Sequence, residues 1–124
     1  MARKQGFTLI ELLVVLAIVA LLLTLALPRY FGSAELARER VLVENLRTTR
    51  DAIDKHLADR GRYPESLEAL VERRYLRDLP YDPVRESNNA WTLVAPPGGR
   101  HGGVYDLHSS ASGATRDGRA FSEL

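Results

Sequence analysis

Glu11 is a lone carboxylate near the start of an apolar run that extends to Leu27. A charge placed in a membrane-length helix costs roughly 2.5–3.5 kcal/mol on insertion scales, so this position calls for a specific partner. The chemistry open to such a group is pairing. Neutralised against a positive group out of water, it fixes the position of whatever carries that group. Phe7 stands one helical turn upstream, about 6 Å along a helix axis. Other reactive side chains are sparse. The 3 histidines, His56, His101 and His108, include no histidine-glutamate zinc motif. Gly98-Gly99 and Gly102-Gly103 lie between short apolar runs, not between a strand and a helix as a phosphate loop requires. Ser109, Ser110 and Ser112 show no nucleophile elbow. These residues read as turns and solvated side chains, Trp91 reads as core, and the expectation is that the chain is not an enzyme.

The element that must hold Glu11 is a helix. Phe7 to Leu27 matches the length of about 20 residues that spans the hydrocarbon core. A secretory signal would have a shorter apolar stretch and a small-x-small cleavage site. Leu25-Ala26-Leu27-Pro28 offers a poor one, which leaves a plain signal anchor as the alternative to a specialised segment. Arg3 and Lys4 precede the span, while Arg29, Arg38, Arg40, Arg47 and Arg50 follow it, so the positive-inside rule does not place the N-terminus in the cytoplasm.

The remainder of the 124 residues has room for one small domain. Setting aside Arg3 and Lys4 from the 17 basic residues and Glu11 from the 16 acidic ones leaves the two signs balanced, so nothing favours nucleic acid as a partner. With 0 cysteines there is neither a disulfide nor a thiolate metal site.

Residues 29–60 read as an amphipathic helix. Leu36, Leu42, Val43, Leu46, Ile53 and Leu57 recur at helical spacing, with Thr49 filling the missing step. Arg40 and Glu44, Arg47 and Asp51, and Arg50 and Asp54 stand four apart on wetter faces. Gly61 supplies a left-handed C-cap. Pro28 removes a hydrogen bond to the Thr24 carbonyl at a cost of roughly 3 kcal/mol, so the long helix either kinks there or ends and restarts. Residues 64–74 form a short helix with an early proline, and Leu79-Pro80-Tyr81-Asp82-Pro83 a rigid connector. Residues 88–124 are expected to hold a small antiparallel sheet. Its strands are Ala90–Val94, Val104–Leu107 and a third around Arg119–Phe121, with the long helix as its cover.

The junction Gly6-Phe7-Thr8-Leu9-Ile10-Glu11 resembles the processing site of the type IV pilin and pseudopilin family. The succession Tyr63-Pro64, short helix, Leu79-Pro80, Asp82-Pro83 is similar to that of the G-type major pseudopilins of type II secretion, which commonly lack disulfides. The resemblance implies an α+β pilin-like fold, with a long N-terminal helix packed on a small C-terminal sheet. It also implies a leader of residues 1–6, cut by prepilin peptidase between Gly6 and Phe7, and N-methylation of Phe7. Glu11 then becomes the assembly carboxylate within the transmembrane helix 7–27, Pro28 a kink, and 28–124 a periplasmic domain. The chain would be a single-pass protein of the bacterial inner membrane. It would polymerise with other pseudopilins on an assembly platform there, as a structural subunit of the filament that drives protein transport. In the G-type family the loop after the second strand binds calcium. Here residues 109–118 carry serine and alanine where carboxylates are expected, and no cofactor is expected because calcium needs six to eight oxygens, several of them charged.

Removal of the leader would free the Phe7 amine, and a parallel neighbour shifted forward by about 6 Å could set that amine beside Glu11. Pairing of Glu11 with the amine of its own chain is the competing arrangement. Two other functional readings stand beside the pseudopilus: a minor type IV pilin-like subunit, and a monomeric membrane-anchored periplasmic adaptor needing neither the amine nor Glu11.

Overall fold

The computed structural model describes residues 6–124, so Arg3, Lys4 and the rest of the expected leader other than Gly6 lie outside the described residues. The described residues fall into two compact units that divide between Glu35 and Leu36, the second being Leu36–Leu124. Helix α1 (Leu9–Arg60, 52 residues) runs from one into the other.

In the first unit the described residues from Gly6 to Phe31 are all exposed. The mean hydropathy of the most apolar 18-residue window reaches 3.0, and it is the one helix among the described residues long and apolar enough to cross a membrane. A helix apolar on every side is stable only among other apolar surfaces, lipid or protein. α1 passes through Pro28 as a single helix, not as a helix that stops and restarts. Pro28 still deprives the Thr24 carbonyl of its donor. Two hydroxyls fold back onto the ladder on either side, Thr24 Oγ1 donating to Ala20 O at 2.8 Å and Ser33 Oγ to Arg29 O at 2.9 Å.

The second unit has one core. Leu42, Leu46, Ala52 and Ile53 of α1 pack with Tyr63, Leu67, Leu70, Val104, Leu107 and Leu124. Each fully buried leucine or isoleucine contributes about 1.5–3 kcal/mol relative to exposure. The expected apolar stripe is corrected at one step: Val43 is exposed, while Ala52 and His56 turn inward. Thr49 is buried as expected, its hydroxyl donating to Asn45 O at 2.7 Å. Gly61 caps α1 with φ 70°, its N–H donating to Leu57 O at 2.8 Å.

Helix α2 (Leu67–Glu72) is shorter than the expected 64–74. Ser66 is its N-cap, accepting from Ala69 N at 3.1 Å, and Arg74 adopts a left-handed φ of 62° just past its end. Pro64 lies outside the helix and serves a different purpose. Its carbonyl accepts from Gly103 N and Val104 N, both at 2.9 Å, and the Gly102-Gly103 pair lets the two backbones meet. A Cβ on Gly103 would collide with Glu65 O, and one on Gly102 with Tyr63 O.

The sheet is two-stranded. β1 (Trp91–Val94) pairs antiparallel with β2 (Asp106–Ser109), Trp91 opposite Ser109 and Val94 opposite Asp106. The strand expected at 119–121 is not a strand. Ala114 and Ala120 form an isolated bridge that closes a turn, and Phe121–Glu123 is a 3₁₀ turn that brings Leu124 into the core. The proline connector is held from three sides. Asn45 Nδ2 donates to Tyr81 O at 2.7 Å, Trp91 Nε1 donates to Pro80 O at 2.8 Å, and the fully buried Asp82 accepts from Val84 N at 2.9 Å, Arg85 N at 3.1 Å and Ser109 Oγ.

Candidate functional site

Gly6, Phe7 and Thr8 are non-helical and exposed, directly before α1. Nothing lies within 4 Å of the position a Cβ on Gly6 would take, so the fold places no demand on that glycine. Phe7 is 86% exposed. The helix begins with a reciprocal cap. Thr8 Oγ1 accepts from Glu11 N at 3.2 Å, Glu11 Oε2 accepts from Thr8 N at 3.5 Å, and Leu12 N closes the first turn on Thr8 O at 3.1 Å. This is the threonine-x-x-glutamate capping box, which satisfies two of the N–H groups that a helix start leaves open.

The arrangement revises one expectation. Glu11 is not an orphan within its own chain, because one oxygen takes a long hydrogen bond from Thr8. It also lies where the positive end of the helix dipole favours a negative charge. The second oxygen is in none of the hydrogen bonds or ion pairs among the described residues, and the side chain is exposed. The box therefore holds a carboxylate at the helix start, and no cation among the described residues pairs with it. Thr8 was legible in the sequence, since threonine three residues before a glutamate at the head of an apolar run is a helix-start signature.

In the second unit, Arg50 is a positioning residue that its spacing to Asp54 does not disclose. Its Nε donates to Asp106 Oδ1 at 2.7 Å, and its Nη2 to Leu107 O at 2.9 Å and Leu124 O at 2.7 Å. His108 Nδ1 also lies 2.9 Å from Leu124 O. One guanidinium thus ties α1, β2 and residue 124 together. Arg50→Met is expected to lower stability by about 2–3 kcal/mol, because it leaves Asp106 and two carbonyls without a charged donor. Thermal unfolding of the isolated second unit would measure this, as a melting temperature lower by about 8–24 °C.

Residues 115–119, at the end of the loop where the resembling family would hold calcium, are tied by hydrogen bonds among themselves and to α1. Thr115 Oγ1 donates to Asp117 Oδ1 and accepts from Arg119 N at 3.2 Å, Thr115 N donates to Arg119 O at 2.8 Å, and Arg116 N donates to Glu39 Oε1 at 2.9 Å. The Thr115 hydroxyl, with Arg119 nearby, holds the Asp117 carboxyl below its ordinary value. Among the described residues no three acidic, histidine or cysteine side chains converge. Calcium needs six to eight oxygens, and Asp117 is the one carboxylate within residues 109–118.

A free helix start carrying a carboxylate, a membrane-length apolar helix and a small α+β domain together define a pilin-like protein. Residues 1–27 match the prokaryotic N-terminal methylation motif. The chain is 34% identical over 120 residues to the type II secretion system core protein G of Klebsiella pneumoniae, covering 84% of this chain and 82% of that protein. It is 33% identical over 124 residues to the Escherichia coli K12 protein of the same name, covering 87% and 81%. The Pseudomonas aeruginosa protein is 32% identical over 127 residues, covering 88% and 85%. The chain belongs to the type II secretion system core protein G family. No solved structure matches it significantly.

Proposed function

We propose that this chain is a structural subunit of the periplasmic pseudopilus of type II secretion, without catalytic activity of its own. Prepilin peptidase cuts between Gly6 and Phe7, and the new Phe7 amine is N-methylated. The chain then leaves the inner membrane to enter a filament on the assembly platform, with residues 28–124 on the periplasmic side. Glu11, capped by Thr8 and without a counter-ion among the described residues, supports this reading. It is a charge that pays its insertion cost of roughly 2.5–3.5 kcal/mol only if a cation meets it in the assembled state. Methylation leaves an amine able to carry a positive charge, so the modified end remains a competent counter-ion.

Intact mass and N-terminal sequencing of the protein from membranes test the proposal. A chain beginning at methylated Phe7 agrees with it. A chain beginning at Met1 in its working state contradicts it and favours a monomeric anchored adaptor.

Calcium has no part in the proposed assembly. The expected result is that millimolar calcium or a chelator leaves the melting temperature of the second unit unchanged. A calcium-dependent rise would show that backbone oxygens of residues 109–118 complete a site with Asp117.

A further inference from the structure

The turn from Thr115 to Arg119 is closed on itself. Thr115 N donates to Arg119 O at 2.8 Å, Gly118 N to Thr115 O at 3.0 Å, and Arg119 N to Thr115 Oγ1 at 3.2 Å. Gly118 completes it with a left-handed φ of 88°. The turn is packed only loosely on the helix beside it. A cavity of about 490 Å³ lies between them, with Leu36, Val43 and Glu44 of α1 on one side and Thr115, Arg116 and Arg119 on the other. Glu39, half-buried, lines the same cavity, and its Oε1 accepts from Arg116 N at 2.9 Å. Among the described residues this is the one hydrogen bond that joins residues 113–119 to α1.

We infer that Glu39 is the latch of this turn: its carboxylate holds residues 115–119 on α1 by direct contact, and the turn keeps its place without a metal ion. The inference rests on the calcium-free reading given above and goes beyond it by naming the side chain that does the fastening. The charges agree with this role. Arg116, Asp117 and Arg119 give the turn a net positive charge, which attracts Glu39 and repels a divalent cation. Calcium draws on several charged oxygens, whereas a carboxylate that reaches a backbone N–H needs no ion to bridge the two. A hydrogen bond to an ionised acceptor is also roughly twice as strong as a neutral one. With the cavity interrupting apolar contact, loss of that one bond frees the turn and leaves the core of Leu42, Leu46 and Leu107 intact.

Limited trypsin digestion of the full chain in detergent tests the latch, because Arg119 places a cleavable bond in the turn itself. Cutting there is read as a ratio to cutting after the exposed Arg100, which cancels any effect on the protease. The ratio reports how often the turn opens. E39A is expected to raise it roughly tenfold, the loss of one hydrogen bond to a charged group, at an unchanged melting temperature. E39Q keeps an oxygen that can accept from Arg116 N and is expected to stay closer to the parent. Adding calcium or a chelator is expected to leave the ratio unchanged in all three chains. An E39A ratio equal to the parent's overturns the latch, and so does a variant that melts lower and is cut faster at Arg100 as well. A parent ratio that falls when calcium is added overturns the calcium-free reading and the latch with it. The pseudopilus reading is decided separately, by the N-terminal mass of the mature chain.

Discussion

Glu11→Ala and Glu11→Gln are both expected to insert and to be cleaved normally, yet to form no filaments. The pair of substitutions separates two effects that the structure joins in one side chain. Glu11 caps the helix start together with Thr8, and it holds a negative charge there. Alanine removes both, whereas glutamine keeps the capping geometry and removes the charge alone. Losing the cap costs about 0.5–2 kcal/mol and frays one turn, which a helix of this length tolerates. Losing the charge removes the carboxylate that, in the proposed assembly, a neighbour's amine would meet on a largely apolar surface. Thr8→Ala completes the set, and it is expected to reduce assembly without abolishing it. Electron microscopy of cells expressing the assembly machinery gives the readout. Normal filaments from Glu11→Gln would show that the charge has no role.

Gly6→Val is expected to block processing completely, leaving a chain that keeps its leader on a gel and never enters filaments. The fold is indifferent to the change, because a side chain at Gly6 meets nothing within 4 Å. A block would therefore arise in the protease site and not from misfolding, and the second unit should melt as in the parent. Without the cut there is no free amine at Phe7, so Gly6→Val and Glu11→Gln should fail at successive steps. One accumulates with the leader, the other without it. Cleavage of Gly6→Val at the usual rate would mean that the junction has been misread.

The sequence disclosed features encoded by neighbours along the chain. The apolar span, the Gly61 cap and the Leu42, Leu46, Ile53 stripe all follow from local spacing, and the structure has them where that spacing sets them. The misses are long-range. Pro64 resembles the first residue of a helix, but its carbonyl is taken by Gly103 and Val104 from the far side of the domain, so α2 starts only at Leu67. The Gly102-Gly103 pair looks like a simple turn, but it is where two backbones pass too close for any side chain. Arg50 is spaced to pair with Asp54 and instead reaches Asp106, because a guanidinium satisfies β2 and Leu124 together and a surface pair would gain little. The segment 119–121 has strand-like ends, but the tight turn from Thr115 to Arg119 leaves no length for a third strand. At the candidate site Thr8 could have been read from the sequence; in the second unit the burial of Asp82 could not, since it depends on Ser109 and on the turn that follows Pro83.

The central claim concerns one contact between molecules, and solid-state NMR can observe it directly. Filaments would be assembled from a mixture of two preparations, one labelled with nitrogen-15 at the Phe7 amine and the other with carbon-13 at the Glu11 carboxylate. The account predicts a through-space correlation between the two labels in the mixed filaments. A correlation that appears only when both labels sit on the same chain would contradict it.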